Sequence, residues 1–402
     1  MRVIPPVTMT DATITSSTAA EPFAPPAYSA STTYGYGDIV AVAADFQIYE
    51  ALAGGNLNNP PLSSPAWWRV LGYTETAYNA ATAYNLNDTC SGNHRIYQSL
   101  AAANQGNALP VLPATSTDYW IDVGATNKWA MFDLARNTQT VFGGAGASTA
   151  TIVVTPGVRI NSLALLGLVA DAVSISVSSG GRIVYPYAYD STKTYSKGQC
   201  CNLSGATTYK SLTEANLGHS PPNPGYWSVV PGAYTSLATR NVLDGYDYFF
   251  MPFATLPSVI VFDIPPNTNN VITITLTRSN GNIKCGSFVV GTYGYCGESQ
   301  YTAMSDALNF STISRDLYGN STLIPRRTVP KTVSTLRVAS THVSRIIDIR
   351  TALNAVPAVW SGLDDTTNDY FEALLILGVY KQFSINADQP SSALISLELE
   401  EI

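Results

Sequence analysis

A short pattern occurs three times in this chain and constrains the fold more than any other feature. Each copy has an aromatic residue, then Tyr-x-[Ala/Ser]-Leu-x-x-x-Asn, then proline and finally tryptophan. The step from the second tyrosine to the asparagine is seven residues in every copy, whereas the outer spacings differ, as expected for strands joined by turns. The repeats span 28–73, 77–124 and 186–232, with shared positions Tyr34, Tyr49, Asn56 and Trp68, then Tyr84, Tyr97, Asn104 and Trp120, then Tyr195, Tyr209, Asn216 and Trp227.

The remaining sequence divides into an arm, a sandwich and a C-terminal region. Residues 1–27 are rich in Pro, Thr, Ser and Ala and predict an extended arm that could add a strand to a neighbouring chain. Alternating β-branched segments predict a β-sandwich over 125–185 and 233–296, with the third repeat inserted in one loop. Residues 297–402 predict an α+β assembly domain. The predicted fold class is mainly β, with small three-stranded modules beside the sandwich.

Local patterns predict individual elements. The sequence of the C-terminal region predicts strands at 333–338 and 371–377. Between them it predicts a helix that Ser340 caps and Asn354 ends. Residues 393–402 alternate apolar and polar, which is typical of a terminal strand docked in a sheet. The predicted apolar face of the helix comprises Val343, Ile346, Ile347 and Leu353. The predicted sandwich strands are 149–155, 161–168, 173–178, 246–253, 258–263, 271–277 and 284–290.

Composition excludes several classes of function. The net charge of −7 gives no electrostatic footprint for nucleic acid, and the longest apolar stretch, Leu163–Val173, is too short to insert in a membrane. The N-terminal residues show no signal-peptide h-region. The five cysteines form no CxxC pair, which favours reduced thiols, with a Cys285–Cys296 disulfide as the alternative.

Enzymatic motifs are missing from the sequence. The three histidines, His94, His219 and His342, are far apart, and no protease, hydrolase or nucleotide-binding motif occurs where a strand and helix would support it. Metal sites need clustered ligands, and Asp364-Asp365 reads as a turn. Glu398, Glu400 and Glu401 read as a solvated strand face. We therefore expect no enzyme, no cofactor and no metal.

The aromatic residues of the repeats are the candidate ligand contacts. Flat tyrosine and tryptophan rings stack on sugar rings, and repeated weak sites gain avidity. The alternative is that the same rings form the core of each small module, because modules of this size have little else to bury. The candidate carbohydrate-binding residues are Tyr49, Trp68, Tyr97, Trp120, Tyr209 and Trp227.

A cationic cluster provides a second candidate site. Its members are Arg315, Arg326, Arg327, Lys331, Arg337, Arg345 and Arg350. One interpretation is a solvated strand face, and the other is an interface with an acidic partner surface, centred on Arg326, Arg327 and Lys331. The acidic segment Glu398–Glu401 of a neighbouring copy is the hypothetical partner.

The repeats resemble the small chitin- and cellulose-binding modules of carbohydrate-binding types five and twelve. The best match is the first copy, with Tyr34, Gly37-Asp38-Ile39-Val40 and Tyr49-Glu-Ala. The third copy keeps Gly198 but has Gln199 in place of the aspartate, and the second keeps Asp88 without the glycine. The exposed Trp pair typical of sugar-binding members is replaced by Ala53-Gly54, Ala101-Ala102 and Thr213-Glu214.

The rest of the chain resembles a family of tailed-bacteriophage virion proteins. The segments that carry this resemblance are Arg2–Asp11, Asn127–Asp133 with Thr138–Thr140, Asp247–Phe253 and Leu377–Phe383. The resemblance implies a tail or baseplate protein in the virion, assembled in a ring of identical copies and contacting other tail proteins and host-surface glycans. The alternatives are a secreted polysaccharide-degrading enzyme with accessory modules, and a purely structural tail protein whose repeats dock neighbouring virion proteins.

Overall fold

The fold is mainly β, as predicted from the sequence. The computed structural model describes residues 1–135, 138–143, 148–239, 254–255, 257–300, 303–315, 318, 321–324, 328–363, 368 and 370–402. Helix is confined, in these residues, to Asn127–Ala130, the ten-residue Val343–Ala352, and short 3-10 turns. The predicted strand at 246–253 lies outside the described residues.

Each repeat folds into a three-stranded antiparallel sheet. The strands are Ile39–Val42, Gln47–Ala51 and Trp68–Tyr73 in the first module, Thr89–Gly92, Arg95–Ser99 and Trp120–Ala125 in the second, and Cys200–Leu203, Thr207–Ser211 and Trp227–Val230 in the third. The seven-residue step of the pattern runs from the middle strand to an asparagine that pairs with the first tyrosine. These pairs are Tyr34 with Asn56, Tyr84 with Asn104, and Tyr195 with Asn216.

The sandwich encloses the largest apolar core. One sheet has the strand order Arg182–Tyr185, Ala172–Ser179, Asn270–Arg278, Ser148–Val154 and Ile14–Ser17, with Ala233–Ser236 also paired to Ala172–Ser179. The facing sheet has the order Ser258–Val261, Ser162–Leu166 and Ser287–Gly291, and Thr140–Phe142 pairs separately with Ile283–Cys285. Alternate residues of Asn270–Arg278 are buried, because successive side chains of a strand point to opposite faces.

The third module interrupts this sandwich. The chain leaves the sandwich after Arg182–Tyr185 and returns at Ala233–Ser236. Both of these strands pair with the same strand, Ala172–Ser179, at different positions along it. The insertion therefore begins and ends at neighbouring points of one sheet, and the module adds to a loop without breaking the strand order.

The C-terminal region forms an eight-stranded sheet. Its strand order is Gly294–Tyr295, Arg2–Ile4, Ala358–Ser361, Leu375–Gln389, Ser392–Glu401, Thr328–Ala339 and Glu298–Ser299, with Met304–Asn309 also paired to Thr328–Ala339. The terminal strand Ser392–Glu401 alternates between buried and half-buried residues over most of its length, in agreement with its predicted docking. The remaining two-stranded pairs are Thr312–Arg315 with Ser321–Ile324, and Ala238–Thr239 with Ala254–Thr255.

The sandwich and the C-terminal sheet share a packed layer. All five residues of Ser162–Leu166 are buried. Leu163 and Leu165 point into the sandwich core, whereas Ala164 and Leu166 pack with residues of the C-terminal sheet such as Val359. A strand that is buried on both faces reads as a continuous apolar run, as this one does, but the run does not identify the element that covers its second face.

The N-terminal arm contributes strands to two sheets of its own chain. Arg2–Ile4 is a strand inside the C-terminal sheet of its own chain, and Ile14–Ser17 is an edge strand of the sandwich. A Cβ placed on Gly291 would lie 2.0 Å from the carbonyl oxygen of Pro5, so this glycine permits the arm to cross closely. Both described strands of the arm therefore add to sheets of their own chain.

Three details of the C-terminal prediction also differ. Ser340 makes no capping hydrogen bond, because it lies in a 3-10 turn that precedes the helix Val343–Ala352. Ile346 and Leu353 are buried as predicted, but Ile347 is exposed, since consecutive residues of a helix point about 100° apart. The strand predicted at 371–377 begins at Leu375, after a 3-10 turn over the preceding residues.

Candidate functional site

The six aromatic residues predicted to contact carbohydrate all lie in module cores. Their exposed fractions run from 0% for Trp120 to 8% for Tyr209. Each module has its own apolar cluster built from these residues and the first tyrosine of the repeat. A ring enclosed in this way offers no face to a sugar, so the structure favours the core interpretation for Tyr49, Trp68, Tyr97, Trp120, Tyr209 and Trp227.

The aromatic packing is almost identical in the three modules. In the first, Tyr28 stacks on Tyr34 at 5.8 Å between ring centroids, and Trp68 meets Tyr34 edge to face at 5.2 Å. The corresponding distances are 6.0 and 5.0 Å in the second module and 5.8 and 5.2 Å in the third. The indole nitrogen donates to a backbone carbonyl in every copy, at 2.6–3.0 Å. Edge-to-face packing and a satisfied indole explain why these positions recur.

A tight turn after the first tyrosine is also shared. Its central residue has positive φ in all copies, 86° at Gly37, 72° at Asn87 and 91° at Gly198. Glycine and asparagine are the residues that adopt this conformation most readily, so Asn87 replaces the glycine that the second repeat lacks. The residue after it is Asp38, Asp88 or Gln199, and its side-chain oxygen accepts a hydrogen bond across the turn from the backbone nitrogen of Gly35, Asn85 or Ser196.

Because the framework is constant, the informative positions are those where the copies differ on the surface. Three positions around the turn and the middle strand define what we call the variable face. The first position lies two residues before the first tyrosine of the repeat, and the second lies two residues after it. The third position directly follows the second tyrosine. They are Thr32, Tyr36 and Glu50 in the first module, Thr82, Leu86 and Gln98 in the second, and Lys193, Lys197 and Lys210 in the third.

The variable face of the first module is docked on the sandwich. The Glu50 carboxylate, only 4% exposed, lies 2.7 Å from Nζ of Lys284, itself 3% exposed. Nδ2 of Asn282 donates both to Glu50 at 2.8 Å and to the carbonyl oxygen of Gly37 at 2.6 Å. Arg69 of the same module also pairs with Glu50. These contacts bury the Glu50 position of the face against the sandwich, whereas Thr32 and Tyr36 are exposed.

Both residues of this buried pair have lowered pKa values, but for different reasons. Burial alone would raise the pKa of Glu50, but hydrogen bonds from Arg69, Lys284 and Asn282 lower it below its ordinary value. Burial lowers the pKa of Lys284, and the nearby Glu50 carboxylate opposes that shift. The lowered pKa of Glu50 favours its carboxylate form, and this carboxylate links the module to the sandwich through Lys284 and Asn282.

The variable face of the third module is open instead. It borders a cleft of about 990 Å³ between the module and the strand Ala233–Ser236 of the sandwich. Described residues lining the cleft include Lys193, Lys197 and Lys210 from the module, and Tyr185, Tyr187 and Tyr234 from the segments that join it to the sandwich. This cleft is the candidate binding site of the molecule.

The tyrosines of the cleft differ in their surroundings. Nζ of Lys210 lies 4.1 Å from the ring centroid of Tyr234, a cation–π contact. Tyr187 is 51% exposed, and its hydroxyl donates to the backbone carbonyl of Asp263. Burial, with smaller contributions from Cys200 and Tyr187, raises the pKa of Tyr185 to about 12. Burial also raises the pKa of Tyr187, which presents an accessible ring.

Sequence reasoning missed these lysines. They were outside the aromatic pattern and looked like ordinary surface charges. A usable signal was present, because three of the seven lysines in the chain fall between residues 193 and 210. The tyrosine on the opposite wall, Tyr234, could not be paired with them, since it belongs to the sandwich.

The cationic cluster is only partly described. Arg326 and Arg327 lie outside the described residues. Lys331 is paired with Glu398 of its own chain at 2.5 Å, because Thr328–Ala339 and Ser392–Glu401 are neighbouring strands. The same chain therefore supplies the acidic partner that was expected from a neighbouring copy. Hydrogen bonding to Glu398 raises the pKa of Lys331.

Thiols and metal ligands add no further site. Cys285 lies in the sandwich core and Cys296 in the core of the C-terminal sheet, and they are not bridged. Among the described residues, no group of three His, Cys, Asp or Glu side chains is placed to hold a metal ion. No helix in the described part of the chain is long and apolar enough to cross a membrane.

Comparison with known proteins does not extend this picture. The sequence matches no protein-family model, and no curated protein is significantly similar to it. Function is therefore inferred from the geometry of the molecule.

Proposed function

We propose that the protein is a non-enzymatic structural component of a bacteriophage tail or baseplate. In this proposal its body makes protein–protein contacts in a symmetric assembly of identical copies within the virion. Its modules are displayed for adhesion to host-surface glycans. The observation that carries the proposal is a set of strands in the C-terminal region that expose apolar side chains with no core of their own.

These strands are exposed along their whole described length. All six residues of Met304–Asn309 and all four of Thr312–Arg315 are exposed. Ile313 is 61% exposed and its neighbour across the hairpin, Leu323, 68%. A two-stranded sheet without a buried face is marginally stable by itself. Contact with another copy would supply the missing core.

The pairing of Met304–Asn309 supports the same conclusion. This strand pairs with Thr328–Ala339 on one side. Its other edge has no strand partner among the described residues. An open edge beside exposed apolar side chains is a template for strand addition from another chain. Symmetric assemblies use such self-complementary or head-to-tail contacts between identical surfaces.

The modules fit the role of displayed accessories. Each has a separate apolar cluster that does not merge with the sandwich core. A unit with its own core can be added to a scaffold loop at a small cost in loop-closure entropy, as the third module illustrates. Adhesion through several modules, each weak, gains affinity through multivalency.

The oligomeric state in solution tests the proposal. Sedimentation of the full chain should show an oligomer, and the double variant Ile313→Asp/Leu323→Asp should shift it to a monomer that is still folded. The control is Leu62→Asp/Val111→Asp, which places the same charges on exposed apolar positions of the first two modules. A wild-type chain that stays monomeric at every concentration would contradict the assembly role, and release of reducing sugars from polysaccharide would contradict the non-enzymatic role.

A further inference from the structure

We infer that the cleft beside the third module binds an acidic saccharide, whose charged groups meet the three lysines and whose rings stack on tyrosine. The inference rests on the adhesive part of the proposed function, because it assigns that adhesion to one site and one chemical class of ligand. It does not depend on how the C-terminal strands assemble.

The charge of the cleft opposes the charge of the chain. The protein as a whole is acidic, with 28 acidic residues against 21 Lys and Arg. Three lysines line the cleft, and Asp190 is the one acidic side chain among its described lining residues. Asp190 is engaged locally, since it accepts hydrogen bonds from the backbone and hydroxyl of Thr192 at 2.8 and 2.7 Å. The cleft is therefore a basic site in an acidic molecule.

The lysines are available to a ligand. Lys193 and Lys197 are exposed, and Lys210 is half-buried against the tyrosine wall. None of the three is ion-paired with a carboxylate among the described residues, whereas four of the other lysines, including Lys331 and Lys284, are. Glu214, the nearest additional acid in the module, accepts a hydrogen bond from the backbone nitrogen of Lys197 at 3.2 Å. Lysine ammonium groups act as mobile point charges for carboxylate or phosphate.

The opposite wall favours a sugar over a simple anion. Tyr187 presents an accessible ring, and Tyr185 packs against it edge to face at 6.1 Å. Gln199, Thr235 and Ser236 also line the cleft and supply polar groups for hydroxyls. The volume of about 990 Å³ is at the upper end of the range typical of small-molecule sites. A single small anion would leave most of this space and the tyrosine ring unused.

The first module provides an internal reference for this face. There the residue after the second tyrosine is Glu50, which is closed against Lys284 and Asn282 of the sandwich. In the third module the same position is Lys210, and the facing sandwich strand contributes Tyr234 in place of a charged partner. The face that serves attachment in one copy is thus left free and positively charged in the other.

Binding measurements on the full chain test the inference. The probes are polygalacturonate, which carries carboxylates on sugar rings, phosphorylated dextran, which carries phosphates on sugar rings, neutral dextran, and a single-stranded oligonucleotide. The variant is Lys193→Gln/Lys197→Gln/Lys210→Gln. The matched control is Lys128→Gln/Lys331→Gln/Lys381→Gln, which removes the same number of charges outside the cleft and leaves the buried Lys284 unchanged.

We expect wild type and control to bind at least one acidic polymer, with affinity that falls as salt rises, and dextran to bind weakly. The cleft variant should lose at least tenfold in affinity. The identity of the polymer that binds distinguishes carboxylate from phosphate as the recognised group. The inference is wrong if wild type binds neither acidic polymer, if the cleft variant binds as wild type does, or if the oligonucleotide binds more tightly than both polymers.

A second pair of variants separates ring stacking from charge alone. Tyr187→Ala removes the exposed ring and should weaken binding severalfold, whereas Tyr187→Phe keeps the ring and should bind nearly as wild type does. Equal binding by both variants would contradict stacking on Tyr187. Sedimentation of the same samples tests the assembly proposal separately from the binding proposal. A chain whose cleft binds nothing can still self-assemble, and a monomeric chain can still bind polymer.

Discussion

The first and third modules have the same framework but turn the same face to different uses. Glu50 in the first is enclosed by Lys284 and Asn282 of the sandwich, whereas Lys210 in the third borders an open cleft. The aromatic clusters behind these residues are nearly superimposable in their ring distances. A framework fixed by buried rings therefore leaves a few surface positions free to determine whether a module is attached or available.

The second module is attached through a different edge. The ring of His94 stacks on Trp129 of the sandwich region at 4.2 Å and contacts Asp11 and Glu21 of the arm at 3.0 and 3.2 Å. The preceding linker is fixed by Glu75, which accepts a hydrogen bond from the backbone of Phe23 at 2.7 Å. Three copies of one module thus have three kinds of attachment.

The largest effect is expected from removing the tryptophan of the shared framework. Trp227→Ala should destabilise the third module by about 3–5 kcal/mol, because it removes a buried aromatic ring and a satisfied indole. Hydrogen exchange should then show lost protection in 186–232 with the first module unaffected. The matched control is Tyr226→Ala at the adjacent, half-buried position. If Trp227→Ala and Tyr226→Ala leave the third module equally protected from exchange, the buried tryptophan does not stabilise the module as proposed.

Breaking the attachment of the first module should have the next largest effect. Lys284→Met leaves the Glu50 carboxylate buried with only Arg69 and Asn282, and should cost about 3 kcal/mol in the free energy of unfolding. Adding Glu50→Gln should recover a large part of that loss, because no unpaired charge remains. Lys210→Met in the third module is the matched control and should change stability little. Equal losses for Lys284→Met and Lys210→Met would show that the two faces do not differ.

The same pair predicts a dependence on pH. The pKa of Glu50 in the folded protein lies below its ordinary value of 4.5. Its contribution to stability is therefore fully present above about pH 4.5 and is lost as the pH falls through the lowered pKa. Unfolding measured between neutral and acidic pH should show a smaller acid sensitivity in Glu50→Gln than in wild type. An unchanged acid profile would contradict the ionised pair.

The turn glycines provide a smaller but closely matched comparison. Gly37 and Gly198 have nearly equal positive φ, so Ala at either position should cost about 1 kcal/mol in backbone strain. Gly37→Ala should cost more, because its Cβ would lie 3.2 Å from Cα of Gly281, whereas a Cβ at Gly198 meets nothing within 4 Å. Thermal unfolding of the two variants measures the difference. Identical losses of stability in the two variants would contradict the close contact between Gly37 and Gly281 of the sandwich.

Much of this architecture was accessible from the sequence because it depends on local patterns. The fixed seven-residue step predicted three small modules, and alternation predicted the terminal strand. The same patterns did not decide whether Trp68 faces solvent or a core, because burial of a ring depends on its neighbours in space. Ile347 was misplaced for a related reason, since an apolar residue next to the buried face satisfies the periodicity approximately.

Features that join distant parts of the chain were beyond sequence reasoning. Arg2–Ile4 pairs with Ala358–Ser361, far along the chain, and no local signal indicates that partner. The ion pair between Glu50 and Lys284 and the approach of Lys210 to Tyr234 also depend on how modules dock. The sequence of the N-terminal arm is compatible with many sheet edges, so it does not identify the strands with which the arm pairs.

The smallest predicted effect comes from one polar contact that the first module lacks. Asn104 and Asn216 donate to Ser99 and Ser211 at 3.1 and 3.0 Å, but the equivalent position in the first module is Ala51.

Nδ2 of the buried Asn56 therefore has no hydrogen-bond partner in the part of the chain that the structure describes. Ala51→Ser should stabilise the first module by about 1 kcal/mol, since the new hydroxyl can accept from Asn56 and donate to the carbonyl of Ala53, as Ser99 does to Ala101. Ser99→Ala and Ser211→Ala should each destabilise their module by a similar amount, measured by chemical denaturation. If Ala51→Ser lowers stability instead, the first module does not share the geometry of the other two around its asparagine.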